Sequence, residues 1–325
     1  MTIDPVLLDL MTSVFADRGP TPHGVLDRAL WDTLSSCGLT RLTTPEHSGG
    51  SGATWTEAAV LLRAAAARGL ALPLAENDLL AGWLLTEAGL PSDDILRTAC
   101  VLEPAGTARG VPWARDAGRI VALWQTGDGW LVADLDPASV HVTRGTNLAG
   151  EPRDDVAADL AATRGVPVAC HLAEEFVLRG ALARALQMTG AMESVLRLCV
   201  THATTRTQFG RPLARFQPVQ HLIADIAAET SLARAAADAC VREGLTPLSV
   251  AVARSCAGHA ATTVVRNAHQ VHGAMGTTAE HSLHTLTLAI LGWRADYGSL
   301  HEWDERLTTA AVTAGGELWA LIAPV

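Results

Sequence analysis

The chain has 325 residues, 49% of them hydrophobic, which is enough for a sizeable core and excludes a disordered polypeptide. All 24 basic residues are arginines, which rules out chemistry resting on a Schiff-base, pyridoxal-phosphate or Walker A lysine. Against them stand 34 acidic residues, and the net charge of −10 disfavours general affinity for nucleic acid or an anionic membrane.

The first hundred residues read as short helices joined by turn-rich loops. Apolar residues recur at helical spacing over 5–15, 25–36, 55–68 and 77–88. Thr54 or Thr56 can cap the third of these and Gly69 can end it. The glycine-rich loop 45–52 lacks the spacing of a dinucleotide fingerprint and follows no strand, so it reads as a connection. Between about 99 and 145 the period changes to two. The runs 120–124 and 130–134 flank Thr126-Gly127-Asp128-Gly129, which predicts a hairpin, and 139–143 predicts a third strand. These few strands imply a small sheet, not a doubly wound one. Residues 145–167, with Gly145, Gly150, Pro152, Gly165 and Pro167, read as a polar linker.

From residue 170 the pattern is helical again, in long segments. Leu178, Leu182, Ala185, Thr189, Met192, Leu196, Cys199 and Ala203 follow a 4-3 spacing and predict one buried stripe. Arg179, Arg184, Glu193 and Arg197 fall off it and are predicted to be solvated. Further helices are expected from 218 to 243, 249 to 272 and 280 to 296, with another after them, which makes a four-helix bundle. The predicted domains are 1–98 (helical), 99–165 (a reduced β domain with linker) and 166–325 (the bundle). The fold class is mainly α with a small β domain.

Six scattered cysteines form no C-x-x-C pair and read as reduced, buried thiols of a cytoplasmic protein. The start, Met1 to Pro5, carries no basic signal-like region, and no apolar run is long enough to span a bilayer.

The chemically richest stretch is 205–221. It reads as a helix end, a Gly-Pro loop and a new helix start, gathering Arg206, Arg211 and Arg215 with Gln208, Gln217 and Gln220. Guanidinium groups suit bidentate phosphate recognition. The plain alternative is a basic connection paired with carboxylates elsewhere.

This segment, Arg206-Thr-Gln208-Phe209-Gly210-Arg211-Pro212-Leu213 to Phe216-Gln217, resembles the R-x-Q-F-G-R-P-L-x-x-F-Q signature of the acyl-CoA dehydrogenases. Gln270-Val-His272-Gly273-Ala274-Met-Gly276 resembles their Q-x-x-G-G-x-G turn, with Ala274 in place of the second glycine. Pro45 to Gly52 is similar to their P-E-x-x-G-G-S-G loop, and the order of domains matches over nearly the whole chain.

The resemblance implies an FAD-dependent dehydrogenase that converts an acyl-CoA to a 2-enoyl-CoA, with electron-transfer flavoprotein as acceptor. It implies that Arg206, Gln208 and Phe209 contact the adenine-side half of FAD, and that Phe216, Gln217 and Gln220 line the same groove. Gln270, Gly273, Ala274 and Gly276 would bring backbone close to the diphosphate.

The chain also departs from that pattern. The family's usual glutamate base falls on Tyr297, beside Asp296, leaving these two as weak catalytic candidates, and the alternative base position falls on Gly180. Glu174, Glu175 and Glu193 are off register. In the middle domain, Glu103-Pro104 resembles the start of the flavin loop, but its Ser-Asp pair reads Thr107-Ala108, and the W-I-T-N strand is missing. Such departures resemble the short, base-lacking subunits of α2β2 acyl-CoA dehydrogenases of sterol side-chain degradation, as does Glu280-His281-Ser-Leu-His284 followed by Tyr297-Gly298-Ser299. The implied partner is a longer acyl-CoA dehydrogenase subunit that supplies the base. Two alternatives stay open: a self-sufficient homo-oligomeric flavoenzyme, and a non-catalytic scaffold.

A metal site at His269, His272, His281 and His284 is not expected, because no carboxylate or cysteine completes a familiar ligand pattern. Without a G-x-S-x-G, hydrolase chemistry is unsupported.

Overall fold

Residues 3–20, 24–278, 280–315 and 319 are described by a computed structural model of the chain. Met1 and Thr2 of the start segment lie outside them. The chain divides into two compact units, Met1–Ala183 and Arg184–Val325.

In the first unit, α1 (Pro5–Ser13) and α2 (Arg28–Ser36) open on Asp4 and Asp27, whose carboxylates accept first-turn N–H bonds. Helix α3 (Trp55–Ala67) has the expected Thr54 cap, with the Glu57 carboxylate accepting from the Thr54 N–H at 2.8 Å. The 45–52 loop is a connection: a Cβ on Gly50 would sit 2.0 Å from the Thr44 carbonyl oxygen, so it packs tightly against the chain's own backbone. The segment expected as one α-helix over 77–88 is a π-helical stretch, Ala75–Gly82, followed by α4 (Trp83–Glu87). The wider turn accommodates Asp78, buried with both carboxylate oxygens occupied by the N–H and hydroxyl groups of Thr43 and Thr44 at 2.8–3.1 Å.

The β domain holds seven strands in two sheets. In order they are β1 (Arg97–Leu102), β2 (Thr107–Pro112), β3 (Arg119–Thr126), β4 (Gly129–Leu135), β5 (Val140–Thr143), β6 (Arg153–Ala158) and β7 (Val166–Val168). One sheet runs β1-β3-β4-β7, with β1 and β3 parallel; the other runs β2-β6-β5. The predicted hairpin is β3–β4, pairing Thr126 with Gly129 across the turn. Cys100, Ile120, Ala122, Trp124 and Ala133 of the first sheet meet Ala108, Val111 and Val156 of the second in one core.

The stretch expected as a linker, 145–167, contains β6 and part of β7. Its polar residues concealed the strand because they are themselves buried. Asp154 is fully buried, accepting from the Arg115 N–H at 2.8 Å and from the Gly145 N–H at 3.1 Å, and it is ion-paired with the Arg115 guanidinium. Hydropathy counts such a pair as surface.

Helix α5 (Leu172–Thr205) leads into the second unit, which holds α6 (Gln217–Glu243), α7 (Pro247–His272), α8 (Leu283–Arg294) and α9 (Leu300–Ala314). Of the predicted stripe, all but the half-buried Leu196 are buried. In α6 only Ile226, Thr230, Ala233, Ala237 and Cys240 are buried, a single 4-3 seam.

Arg184 departs from expectation. It is 2% exposed, because α5 is covered on all sides along 180–192 rather than on one stripe. Arg179 is also held in: its guanidinium lies 4.2 Å from the Trp83 ring and donates to Glu175 at 2.9 Å. Glu193 pairs with Arg234. All six cysteines are free, but Cys37 and Cys170 are exposed rather than buried. Among the described residues no helix is long and apolar enough to cross a membrane.

Candidate functional site

After α5 the chain makes a miniature hairpin. Strands β8 (Thr207–Gln208) and β9 (Arg211–Pro212) pair across a two-residue loop, and the Leu213 N–H donates to the Arg206 carbonyl at 2.9 Å. The loop residues Phe209 and Gly210 have φ of 52° and 78°. Two successive positive φ values characterise the tight turn that matches strand twist, where Asn-Gly is the preferred pair. Phenylalanine is strained there, yet its ring is 90% exposed and 6.1 Å from Phe216. The Arg211 guanidinium lies 4.2 Å from the Phe216 ring. Gln220 donates its side-chain amide to the Ala214 carbonyl at 2.8 Å, which leaves its Oε1 as acceptor.

Arg206, Gln208, Gln217 and Gln220 are exposed. Among the described residues none of Arg206, Arg211 and Arg215 is ion-paired with a carboxylate. The plain alternative of an internally neutralised basic connection therefore does not describe this segment.

Strain at Phe209 makes an expectation. Phe209→Asn should raise the chain's stability by up to about 1 kcal/mol, since asparagine tolerates the left-handed region, and it should weaken whatever the ring is there to cover. Urea titration of both proteins measures the first effect. An unchanged or lower midpoint would show that the turn carries no strain.

The second motif begins at the end of α7, with Gln270 exposed. Gly273 has φ 60° and ψ −148°, a conformation nearly reserved for glycine, although a Cβ there would meet no atom within 4 Å. Its identity is therefore set by backbone rather than by space. Gly276 is the opposite: a Cβ would lie 2.8 Å from Leu283 Cδ2 and 2.9 Å from His272 Cβ. Between them Ala274 is exposed in the short helical turn Gly273–Thr277. The two motifs are brought to one end of the unit by His202 and His272, whose ring centroids are 4.5 Å apart.

The catalytic candidates are placed otherwise. The Asp296 carboxylate accepts from Arg184 Nε at 2.8 Å. Above it Arg254, 2% exposed, donates to the carbonyls of Arg294 and Asp296 at 3.0 and 2.9 Å. Burial pushes the Arg254 guanidinium down to about 10, with Asp296 opposing the shift. Tyr297, at φ 55°, sets its ring 5.6 Å from the Arg184 guanidinium. This arrangement closes the C-terminal end of α8 and binds Asp296 into a buried charge network, a role that periodicity could not reveal.

In the first unit a pocket of about 310 Å³ is lined by Thr43, Thr54, Trp55, Asp78, Trp83 and Arg179 among others. Burial raises the Asp78 carboxyl while its four hydrogen bonds lower it, and those bonds leave neither oxygen open for proton abstraction. Among the described residues no three His, Cys, Asp or Glu side chains converge on a metal position.

The groove residues suit a dinucleotide. A turn with glycine-only backbone can approach a diphosphate closely, and exposed arginines with no carboxylate partner among the described residues, beside an exposed aromatic ring, can meet phosphate and base. A family model for the acyl-CoA dehydrogenase C-terminal domain matches residues 170–299. The acyl-CoA dehydrogenase IpdE2 of Mycobacterium tuberculosis is 30% identical over 283 residues, covering 83% of this chain and 80% of that protein. Among solved structures, a chain of the ChsE4-ChsE5 complex from Mycobacterium tuberculosis superposes with a TM-score of 0.84 at 22% identity, covering 96% of this chain and 98% of that one. A chain of the Tcur3481-Tcur3483 steroid ACAD variant gives 0.84 at 22% identity, covering 95% and 97%.

Proposed function

From its membership of the acyl-CoA dehydrogenase family, shown by its 30% identity to an acyl-CoA dehydrogenase over 83% of the chain, we propose that this chain is the FAD-groove subunit of a heteromeric acyl-CoA dehydrogenase. The observation that carries the reading is that Arg206, Arg211 and Arg215 are exposed and, among the described residues, none is ion-paired with a carboxylate, while no carboxylate stands at either base position. A bound FAD supplies the hydride acceptor for α,β-dehydrogenation of the thioester.

This chain's own residues bind and orient. Arg206 offers a bidentate guanidinium to phosphate. Gln270 offers its amide at the end of α7, and the Gly273–Gly276 backbone permits close approach. Phe209 and Phe216 present ring surface to adenine, while Gln208, Gln217 and the Gln220 Oε1 offer hydrogen bonds around it.

The partner is a longer subunit that brings the carboxylate base, since Asp296 is committed to Arg184 and position 180 is glycine. Two similar structures, a chain of the ChsE4-ChsE5 complex and a chain of a steroid ACAD, support this reading. The steroid ACAD also favours a bulky, sterol-derived acyl-CoA as substrate. Electron-transfer flavoprotein is the proposed acceptor and the cytoplasm the proposed compartment, the latter in keeping with six free thiols.

A visible spectrum with native mass tests the reading on the chain alone and on the chain co-expressed with a longer family member. The expected result is stoichiometric FAD only in the mixed oligomer. Arg206→Ala and Gln270→Ala should each lower FAD affinity there by roughly 10- to 100-fold, the worth of a hydrogen bond to a charged group. Unchanged flavin content in both variants would remove the groove assignment, and a yellow, active homo-oligomer would replace the two-subunit reading with the self-sufficient one.

A further inference from the structure

The groove's two motifs meet through histidine. The His202 ring of α5, one turn before Arg206, lies 4.5 Å from the ring of His272 at the end of α7. His272 in turn lies 5.0 Å from His281, just before α8. The His272 Nδ1 is 2.9 Å from the Ala268 carbonyl. A carbonyl only accepts, so this bond assigns the proton to Nδ1 and the lone pair to Nε2. That Nε2 is buried and meets no hydrogen-bond partner among the described residues. His269 bonds the Thr287 hydroxyl at 3.0 Å through Nε2, while its Nδ1 is likewise buried without a partner among the described residues. The turn rests on these rings: a Cβ on Gly276 would stand 2.9 Å from His272 Cβ and 3.5 Å from His269 Nδ1.

We propose that His202 and His272, with the His281 ring packed against His272, form a proton-sensitive latch that positions the Gly273–Thr277 turn against the end of α5. Uncharged rings hold the two halves of the groove together, and proton uptake releases them. The identity of the ligand so controlled rests on the FAD reading above; the latch itself rests on the ring geometry.

Neutral rings at these spacings attract as other aromatic pairs do. Two adjacent imidazolium rings repel, and a proton on His272 Nε2 would be a buried charge with no acceptor. The groups facing the stack add to this. Cys199 Sγ lies 3.9 Å from His272 Nδ1, and Arg206 stands beside His202. His269 faces His272 from α7, and His284 of α8 has its Nδ1 2.6 Å from the His281 carbonyl.

Burial holds His202, His269 and His272 below the ordinary 6.5. Neighbouring histidines, and Arg206 for His202, lower them further, with only the Ala268 carbonyl acting the other way on His272. The sign follows. The closed form binds fewer protons than the open form between the lowered values and about 6.5, so the latch is fully stable above that pH and weakens as pH falls through the window. Each proton taken up on opening multiplies the opening constant by up to about tenfold per pH unit.

Amide hydrogen exchange over 270–278 in the full chain, corrected for intrinsic rates and followed from about pH 8 to about pH 5, reads the latch directly. Protection is expected to fall below about pH 6.5 with a slope of more than one proton, while α9 serves as a control that does not follow. His272→Asn keeps a donor for the Ala268 carbonyl and removes the titration, so the slope should drop by one proton. Should that variant not fold, His202→Gln, at a half-buried ring, should show the same loss. An unchanged slope in the variant read, or the same slope in α9, would overturn the latch. Flavin content is recorded in parallel on the mixed oligomer formed with the longer subunit. No flavin at any pH would defeat the FAD reading and leave the exchange result standing, whereas bound flavin with pH-independent exchange would defeat the latch alone.

Discussion

Replacing Asp296 by alanine is expected to cost about 3–5 kcal/mol of folding stability, because it removes the carboxylate that balances two buried guanidinium groups. Arg184 and Arg254 are each 2% exposed, on α5 and α7, and the Asp296 carboxylate lies 2.8 Å from Arg184 Nε. Surface pairs rarely contribute more than about 1 kcal/mol, so an effect of this size would itself mark the network as internal. Urea or thermal unfolding measures it, with Tyr297→Phe as companion. The phenyl ring keeps its place near Arg184, and that variant should retain most activity and stability. The pair also decides the catalytic question. An Asp296→Ala protein as stable as its parent but without turnover would make Asp296 a base, and a large fall in kcat for Tyr297→Phe with assembly intact would give the phenol a chemical role.

Gly276→Val should cost about 3 kcal/mol and abolish flavin retention. The added Cβ would press within 2.9 Å of His272 Cβ, a backbone-anchored atom on α7, and within 2.8 Å of the Leu283 Cδ2 of α8. Leu283 can rotate away, whereas His272 cannot without losing its bond to Ala268. Gly273→Ala isolates the other requirement. It meets no atom within 4 Å and should cost only the roughly 1–3 kcal/mol of a backbone held at φ 60° and ψ −148°. Unfolding midpoints together with flavin content separate the two. Equal, negligible losses in both variants would mean that the turn rearranges freely and is no preformed cradle.

Much of the fold was legible because its signals are local. A threonine cap for α3 (Thr54, of the two threonines expected), the Gly127–Asp128 turn, the 4-3 stripe of α5 and the bounds of α6 and α7 all follow from residues a few positions apart. The backbone of the two motifs is local too: Phe209-Gly210 and Gly273 hold positive φ, a turn shape set by adjacent residues.

The sequence could not decide where charge is buried, because burial is fixed by what arrives from afar. Asp154 in β6 finds Arg115, 39 residues earlier, and so a polar stretch becomes a central strand. Arg184 finds Asp296 across 112 residues, which turns a predicted surface arginine into an internal counter-charge and a candidate base into its partner. His202 meets His272 only when α5 and α7 lie side by side; in sequence His269 and His272 pair with nothing but each other. Local sequence thus determined most of the helices, the β3–β4 hairpin and the family to which the chain belongs. Tertiary structure alone decided which charges are desolvated and which rings touch, because desolvation and Coulomb energies depend on distance through space rather than along the chain.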